Sequence, residues 1–313
     1  MDNPWKDLKP DRNGEYVNGE YVASCDRDDL KPFRAITNAK YELQLNVPPE
    51  PFIGDPSTAS FVALQLNPGS SRSDDTAKRI SSDVKAFDPK LEEILANLSG
   101  EKREMYWAEP TPNLGEGEEE LYSSPHAWYF GAEIETESGW KSLFNRARFK
   151  LLLLALSSPR AREDLRALKK PNISNFHKVV LATEGEDFSS SLDRAYGILR
   201  KKFAVIEYFP YHSEKAHGKI EKSKLPSQKY TKHLLQQALD NGAYIFLTRS
   251  AKSWENFEPQ LFQHGERLIV ASSNSNIAFT PNNVRKWDSA TEGKGAKDPN
   301  LFWKVVEKLD PQE

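Results

Sequence analysis

From residue 203 onward, short apolar runs alternate with amphipathic stretches, and this alternation constrains the fold more than any other feature of the chain. Phe203 to Phe209, Ala243 to Thr248 and Arg267 to Ala271 read as strands. Helical spacing fills 189–201, 229–239 and 250–262, and Asn241-Gly242 stops the second of these. An earlier run, Phe61-Val62-Ala63-Leu64-Gln65-Leu66, is apolar without alternation, as expected of a strand buried on both faces. Strand–helix–strand repetition predicts a parallel sheet covered by helices on either side. The expected class is therefore α/β, a three-layer sandwich around a central, mostly parallel four-stranded sheet.

The flanking segments are less regular. Asn13-Gly14 and Asn18-Gly19 suggest small hairpins, and 40–47 alternates like a half-buried strand. Residues 1–55 are thus expected to form a small β-rich N-terminal appendage, with 56–313 as the main domain. Helices are expected over 74–98 (interrupted at Pro89), 140–156, 160–169 and 299–309. The acidic run Gly115 to Glu120 reads as a solvated loop.

Composition narrows the function classes. Forty-three Lys+Arg against 46 Asp+Glu leave a charge of −3, which excludes a globally basic binder but allows a local basic face. Cys25 is the only cysteine, which excludes a disulfide framework, a multi-cysteine zinc site and a four-thiolate cluster. The longest strongly apolar stretch, Leu151 to Leu156, falls far short of the roughly 20 residues that cross a bilayer. The N-terminus also lacks a basic-then-apolar secretory layout. The expectation is a soluble, cytoplasmic, monomeric protein with no cofactor, no metal and no membrane partner.

Ligands of parallel α/β sheets bind beyond the carboxyl ends of the strands. Three of the four strands end there in small polar tracts: Asn67-Pro68-Gly69-Ser70, Tyr211-His212-Ser213 and Ser272 to Asn276. These tracts are expected to converge on one cleft. An Asn at such a tip offers an acceptor and a donor together, although Asn-Pro-Gly is also a strong turn sequence. His212 is either an ordinary hydrogen-bonding histidine or a member of the site. His217 does not complete a metal pair with it, because the spacing is wrong for one helical face. No Gly-x-Ser-x-Gly elbow supports a Ser213–His212 hydrolase.

In order and content these tracts resemble the uracil-DNA glycosylase superfamily. Gln65-Leu66-Asn67-Pro68-Gly69 is similar to the Gly-Ile-Asn-Pro-Gly motif of its mismatch-specific branch, and Ser273-Asn274-Ser275-Asn276-Ile277-Ala278 occupies the place of the late motif. The chain departs from the pattern at Gln65, at the missing late Pro and at the absent base-reading Asn of a middle strand. The resemblance, which spans about residues 60–285, implies hydrolysis of the N-glycosidic bond of a flipped-out, uracil-like or modified pyrimidine in DNA. The departures at Gln65 and at the missing base-reading Asn suit a widened pocket, so a bulky modified pyrimidine, for example in foreign (phage) DNA, is an expected target.

The resemblance assigns catalysis to Asn67, which places the water, with Asn274 and His212 supporting charge. It assigns base binding to Gln65, Leu66, Pro68, Gly69, Ser70, Tyr129, Phe130, Tyr211 and Ser213. DNA contacts fall to Ser273, Ser275 and Asn276, with Ile277 and Phe279 as candidate wedges. Lys219, Lys222 and Lys224, in a basic loop that also holds Lys215, Lys229 and Lys232, would neutralise phosphates. Two other readings stay open: a non-catalytic nucleic-acid-binding module on the same fold, and a small-molecule α/β hydrolase. The absence of a phosphate-cradling glycine motif argues against a nucleotide-binding version of the latter.

Overall fold

A computed structural model describes residues 1–6, 8, 20–38, 40–45, 48–68, 89–105, 133–136, 139–142, 148–168, 188–213, 215–272, 277–291 and 295–311. The helices are α1 (Lys31–Arg34), α2 (Pro89–Ser99), α3 (Lys150–Ser157), α4 (Pro159–Ala167), α5 (Phe188–Lys202), α6 (Gln228–Asp240), α7 (Ala251–Phe257) and α8 (Asn300–Leu309). The strands are β1 (Phe52–Ile53), β2 (Phe61–Gln65), β3 (Glu133–Thr136), β4 (Gly139–Ser142), β5 (Phe203–Glu207), β6 (Tyr244–Leu247), β7 (Leu268–Ala271) and β8 (Val284–Lys286). The fold is mixed α/β.

The main sheet has six strands in the order β1-β5-β2-β6-β7-β8, not the four expected. The four anticipated strands are its parallel centre, and β1 and β8 add antiparallel edges. Both additions are only two or three residues long, too short to show a period of two. Gly54 turns the chain out of β1 with φ +83°, and a Cβ there would meet the Phe203 carbonyl at 2.7 Å. Only glycine fits that turn.

Alternation along the central strands sends side chains to two apolar clusters. Phe61, Ala63, Phe203, Val205, Phe246 and Ile269 meet α3, α4, α5 and α8 on one face. Val62, Leu64, Ala204, Ile206, Ile245 and Leu247 meet α6 and Trp254 of α7 on the other. Both faces of β2 are sealed, which explains why its sequence is a continuous apolar run. Each such Phe or Leu contributes about 1.5–3 kcal/mol by leaving water.

Elsewhere the structure corrects the expectations. Among the described residues before β1 there is no strand, so the N-terminal segment is not β-rich there. Trp5, Val22, Leu30, Phe33 and Leu45 pack instead into the second cluster. The alternating 40–45 segment lies across the loop after β5, where the Gln44 N–H donates to the His212 carbonyl (3.0 Å) and the Lys215 N–H to that of Lys40 (2.7 Å). Extended chain with isolated backbone bonds carries the same alternation as a strand.

Trp140 lies in β4, paired with β3, and the helix expected from 140 begins only at Lys150. That helix is buried on all sides, so it has no polar stripe to mark its start. The break at Ser158-Pro159 behaves as its chemistry dictates: the Ser158 hydroxyl accepts from the Ala161 N–H and Pro159 opens α4. Residues 74–88, the hairpin turns at 13–19 and the acidic run lie outside the described residues.

Candidate functional site

The parallel centre puts the carboxyl ends of β5, β2, β6 and β7 at one edge of the sheet. At that edge the β2–β5 ladder runs past its last strand residues, with Tyr208 N–H donating to the Gln65 carbonyl (3.0 Å) and Phe209 N–H to that of Leu66 (2.8 Å). On the other side of β2, Thr248 donates through its backbone and its hydroxyl to the Leu64 carbonyl. Asn67 therefore leaves the sheet from a rigid platform.

Its side chain is held in one orientation. Asn67 Nδ2 donates to the Pro68 carbonyl at 3.1 Å and to Ser213 Oγ at 3.0 Å. Ser213, fully buried, spends its own proton on the Lys215 carbonyl at 3.0 Å, so its oxygen is an acceptor toward Asn67. Both partners accept, and only the NH₂ end of the amide can face them. Asn67 Oδ1 is thereby turned away from them, and it makes no hydrogen bond among the described residues. Asn67 itself is half-buried. An acceptor fixed in this way can orient a water molecule.

Beside it lies a polar cluster within the sheet edge. Gln65 is 7% exposed, and its Oε1 accepts from the Arg148 guanidinium at 2.5 Å. Its Cα partner on β5 is Glu207, 1% exposed. Glu207 Oε2 has no hydrogen-bond partner among the described residues. An orphaned buried polar atom costs about 1–3 kcal/mol. Burial lifts the Glu207 pKa well above the ordinary carboxylate range; Arg148 opposes the rise and Glu50 adds to it. Glu50 is buried in turn, with His212 Nε2 3.5 Å from its Oε2.

The Glu207 shift carries a stability prediction. Its folded pKa lies above the ordinary Glu value, so between the two the native state holds a proton that the unfolded chain has lost. That contribution is complete below the unfolded pKa and drains away as pH rises toward the folded one, by up to about 1.4 kcal/mol per pH unit. Glu207→Gln removes the loss, so its stability relative to wild type should grow with pH. Urea unfolding of both proteins over about pH 5 to 8 measures this. Parallel curves would show that Glu207 ionises in the native state at no cost.

Other expected residues stand elsewhere. Tyr211 is 1% exposed, and its hydroxyl donates to Asp26 Oδ2 at 2.9 Å while accepting from the Ala23 N–H at 3.3 Å. Burial, reinforced by Asp26, pushes its phenol pKa far up, so it stays a donor. Asp26 Oδ1 also accepts from the Ser227 N–H at 2.9 Å. Tyr211 thus clamps the N-terminal segment and is not a base-binding residue. Tyr211→Phe should cost about 1–3 kcal/mol in urea unfolding, because it leaves Asp26 and Ala23 short of a partner.

Phe279 is not a wedge: fully buried, it packs among Phe61, Phe149, Phe246 and Phe302. Ile277, 7% exposed, is also too enclosed to insert into DNA as it stands.

Leu66 is half-buried and Pro68 buried next to Asn67. Gly69, Ser70, Tyr129, Phe130, Ser273, Asn274, Ser275 and Asn276 lie outside the described residues. The chain on either side of the late tract is placed, however. Ser272 closes β7 at the same sheet edge, donating through its N–H to the Asn283 carbonyl at 2.8 Å. The Phe279 N–H donates to the carbonyl of Arg148 at 2.7 Å, and Arg148 holds Gln65.

In the basic loop Lys219, Lys222, Lys224, Lys215 and Lys229 are exposed, and Lys219 Nζ donates to the Pro32 carbonyl at 3.2 Å. Lys232 pairs with the buried Glu258 at 3.0 Å and so has a structural partner.

Glu207, Arg148 and Glu50 escaped the sequence reading. Glu207 carried a signal: a charged residue ending a run that is otherwise apolar on both faces. Arg148 and Glu50 carried none, because their partners are distant in the chain. Among the described residues no group of three or more His, Cys, Asp or Glu is placed to hold a metal ion, and no helix is long and apolar enough to cross a membrane. No family model, curated protein or solved structure matches the chain.

Proposed function

We propose that the protein is a monofunctional DNA glycosylase that hydrolyses the N-glycosidic bond of a flipped-out uracil-like or modified pyrimidine. The observation that carries this reading is Asn67, whose amide is pinned by Ser213 and Pro68 with its acceptor oxygen turned away from both. Its place at the carboxyl edge of a parallel sheet is where such folds take ligands. The apolar clusters on both sheet faces support a three-layer sandwich as the scaffold.

The chemistry asks little covalent work of the protein. The C1′–N bond breaks with its electron pair passing to the base, the sugar takes on oxocarbenium character, and a water bonded to Asn67 Oδ1 adds at C1′; the proton that water loses balances the one the base anion takes up on leaving as the free base. The base must leave the helical stack first, at a cost of a few kcal/mol. The exposed lysines of the loop after β5 would hold phosphates and make binding salt-dependent. In this reading the protein works on DNA as a cytoplasmic monomer, with Asn274 and His212 supporting charge.

The test is incubation with DNA duplexes and single strands, each carrying one candidate base, followed by alkali. Strand cleavage at one base class supports the reading. Intact DNA for every base, with binding retained, leaves a nucleic-acid-binding module.

A further inference from the structure

We propose that Glu207 reads the edge of the base in this site, its carboxyl hydrogen-bonding a donor and an adjacent acceptor on one edge of a pyrimidine. The inference rests on the glycosylase reading for its ligand, and on three observations for its residue. Glu207 ends β5 at the carboxyl edge of the sheet, directly across from Gln65, two residues before Asn67. Both side chains follow the alternation that sends Phe61, Ala63, Phe203 and Val205 to the same face. Glu207 is 1% exposed, yet its Oε2 has no hydrogen-bond partner among the described residues. A buried polar atom without a partner calls for an explanation, and at the carboxyl edge of a parallel sheet a ligand would supply one.

The charges around it decide which form it takes. Arg148 faces it from the segment before α3 and bonds Gln65; Glu50 faces it from the segment before β1, with His212 of the loop after β5 beside Glu50. Burial outweighs the attraction of Arg148 and favours the neutral carboxyl. A neutral carboxyl presents one O–H donor and one carbonyl acceptor side by side, whereas a carboxylate only accepts. The former complements the N3–H and O4 of a uracil-type ring. Recognition along that edge leaves C5 unread, so bases enlarged at C5 remain within the class. A methyl on N3 removes the donor and occupies its space.

Difference infrared spectroscopy on the full chain tests this with free uracil and 3-methyluracil as probes. Wild type should show a protonated-carboxyl stretch that is missing in Glu207→Gln. Uracil should shift it and 3-methyluracil should not. In single-turnover excision, Glu207→Gln, which keeps a donor–acceptor pair, should lose less than about tenfold, and Glu207→Leu more than about a hundredfold. Thermal melting of both variants establishes that they are folded.

A band that ignores uracil while uracil is excised from DNA overturns the role of Glu207 and leaves the glycosylase reading intact. A band shifted by uracil in a protein that excises no base keeps Glu207 as a base reader and removes the enzymatic reading. A protein in which neither happens contradicts both.

Discussion

Asn67→Ala should lower single-turnover base excision by about 10²–10³-fold, the usual loss when one preorganised group at a reacting centre is removed. DNA affinity, read by fluorescence anisotropy, should change by less than about threefold, because phosphate contacts dominate it. The split follows from the geometry. Asn67 is tied to Pro68 and Ser213, and in the proposed mechanism it contributes an acceptor oxygen for water, not a contact that holds DNA. Asn67→Asp sharpens the test. It restores acceptor oxygens but removes both Nδ2 donors and brings a charge up to the Pro68 carbonyl, so it should recover little of the loss. Full activity in Asn67→Ala would mean that water is placed by another group.

Phe279→Ala should cost about 3–5 kcal/mol in urea unfolding, the range for a buried aromatic truncated in a packed core. Its ring sits 4.8 Å from Phe61, 5.0 Å from Phe246 and 5.2 Å from Phe302. Phe61 stacks on Phe203 at 5.3 Å, so the cavity would open against two central strands. The surrounding elements are the sheet and α8, which cannot easily collapse into it. Per folded molecule, DNA affinity should be unchanged. Weakened DNA binding with unaltered stability would return Phe279 to the DNA interface.

The sequence announces the parallel centre of the fold because burial on both faces leaves a local trace. Phe61 to Gln65 and Phe203 to Glu207 are apolar runs of strand length ending in polar tips, and that pattern requires no partner to be recognised. The edges leave no such trace. β1 is a strand only because Phe52 and Ile53 lie against Ile206 and Val205, a pairing between distant parts of the chain. The N-terminal segment misleads for a related reason. Its apolar residues are spaced for burial, but what they bury against is the face of the sheet, held by Asp26 accepting from Tyr211 and Ser227.

The site is legible to a similar depth. Asn67 and Ser213 stand out at strand tips, and the structure joins them. Tyr211 and Phe279 occupy equally suggestive positions, and only packing reveals the first as a clamp and the second as core. Glu207 hides in plain view. Its charge breaks an apolar run, but its importance depends on Gln65, Arg148 and Glu50 arriving from three other parts of the chain.

The central claim is that water, oriented by Asn67, replaces the base at C1′ with no covalent protein–DNA intermediate. It is tested most directly by running excision with and without borohydride and analysing the strand before and after alkali. The expected result is release of the free base, an unbroken strand carrying an alkali-labile abasic site, and no trapped protein–DNA adduct. A borohydride-trapped adduct, or a strand already cut before alkali, would contradict it.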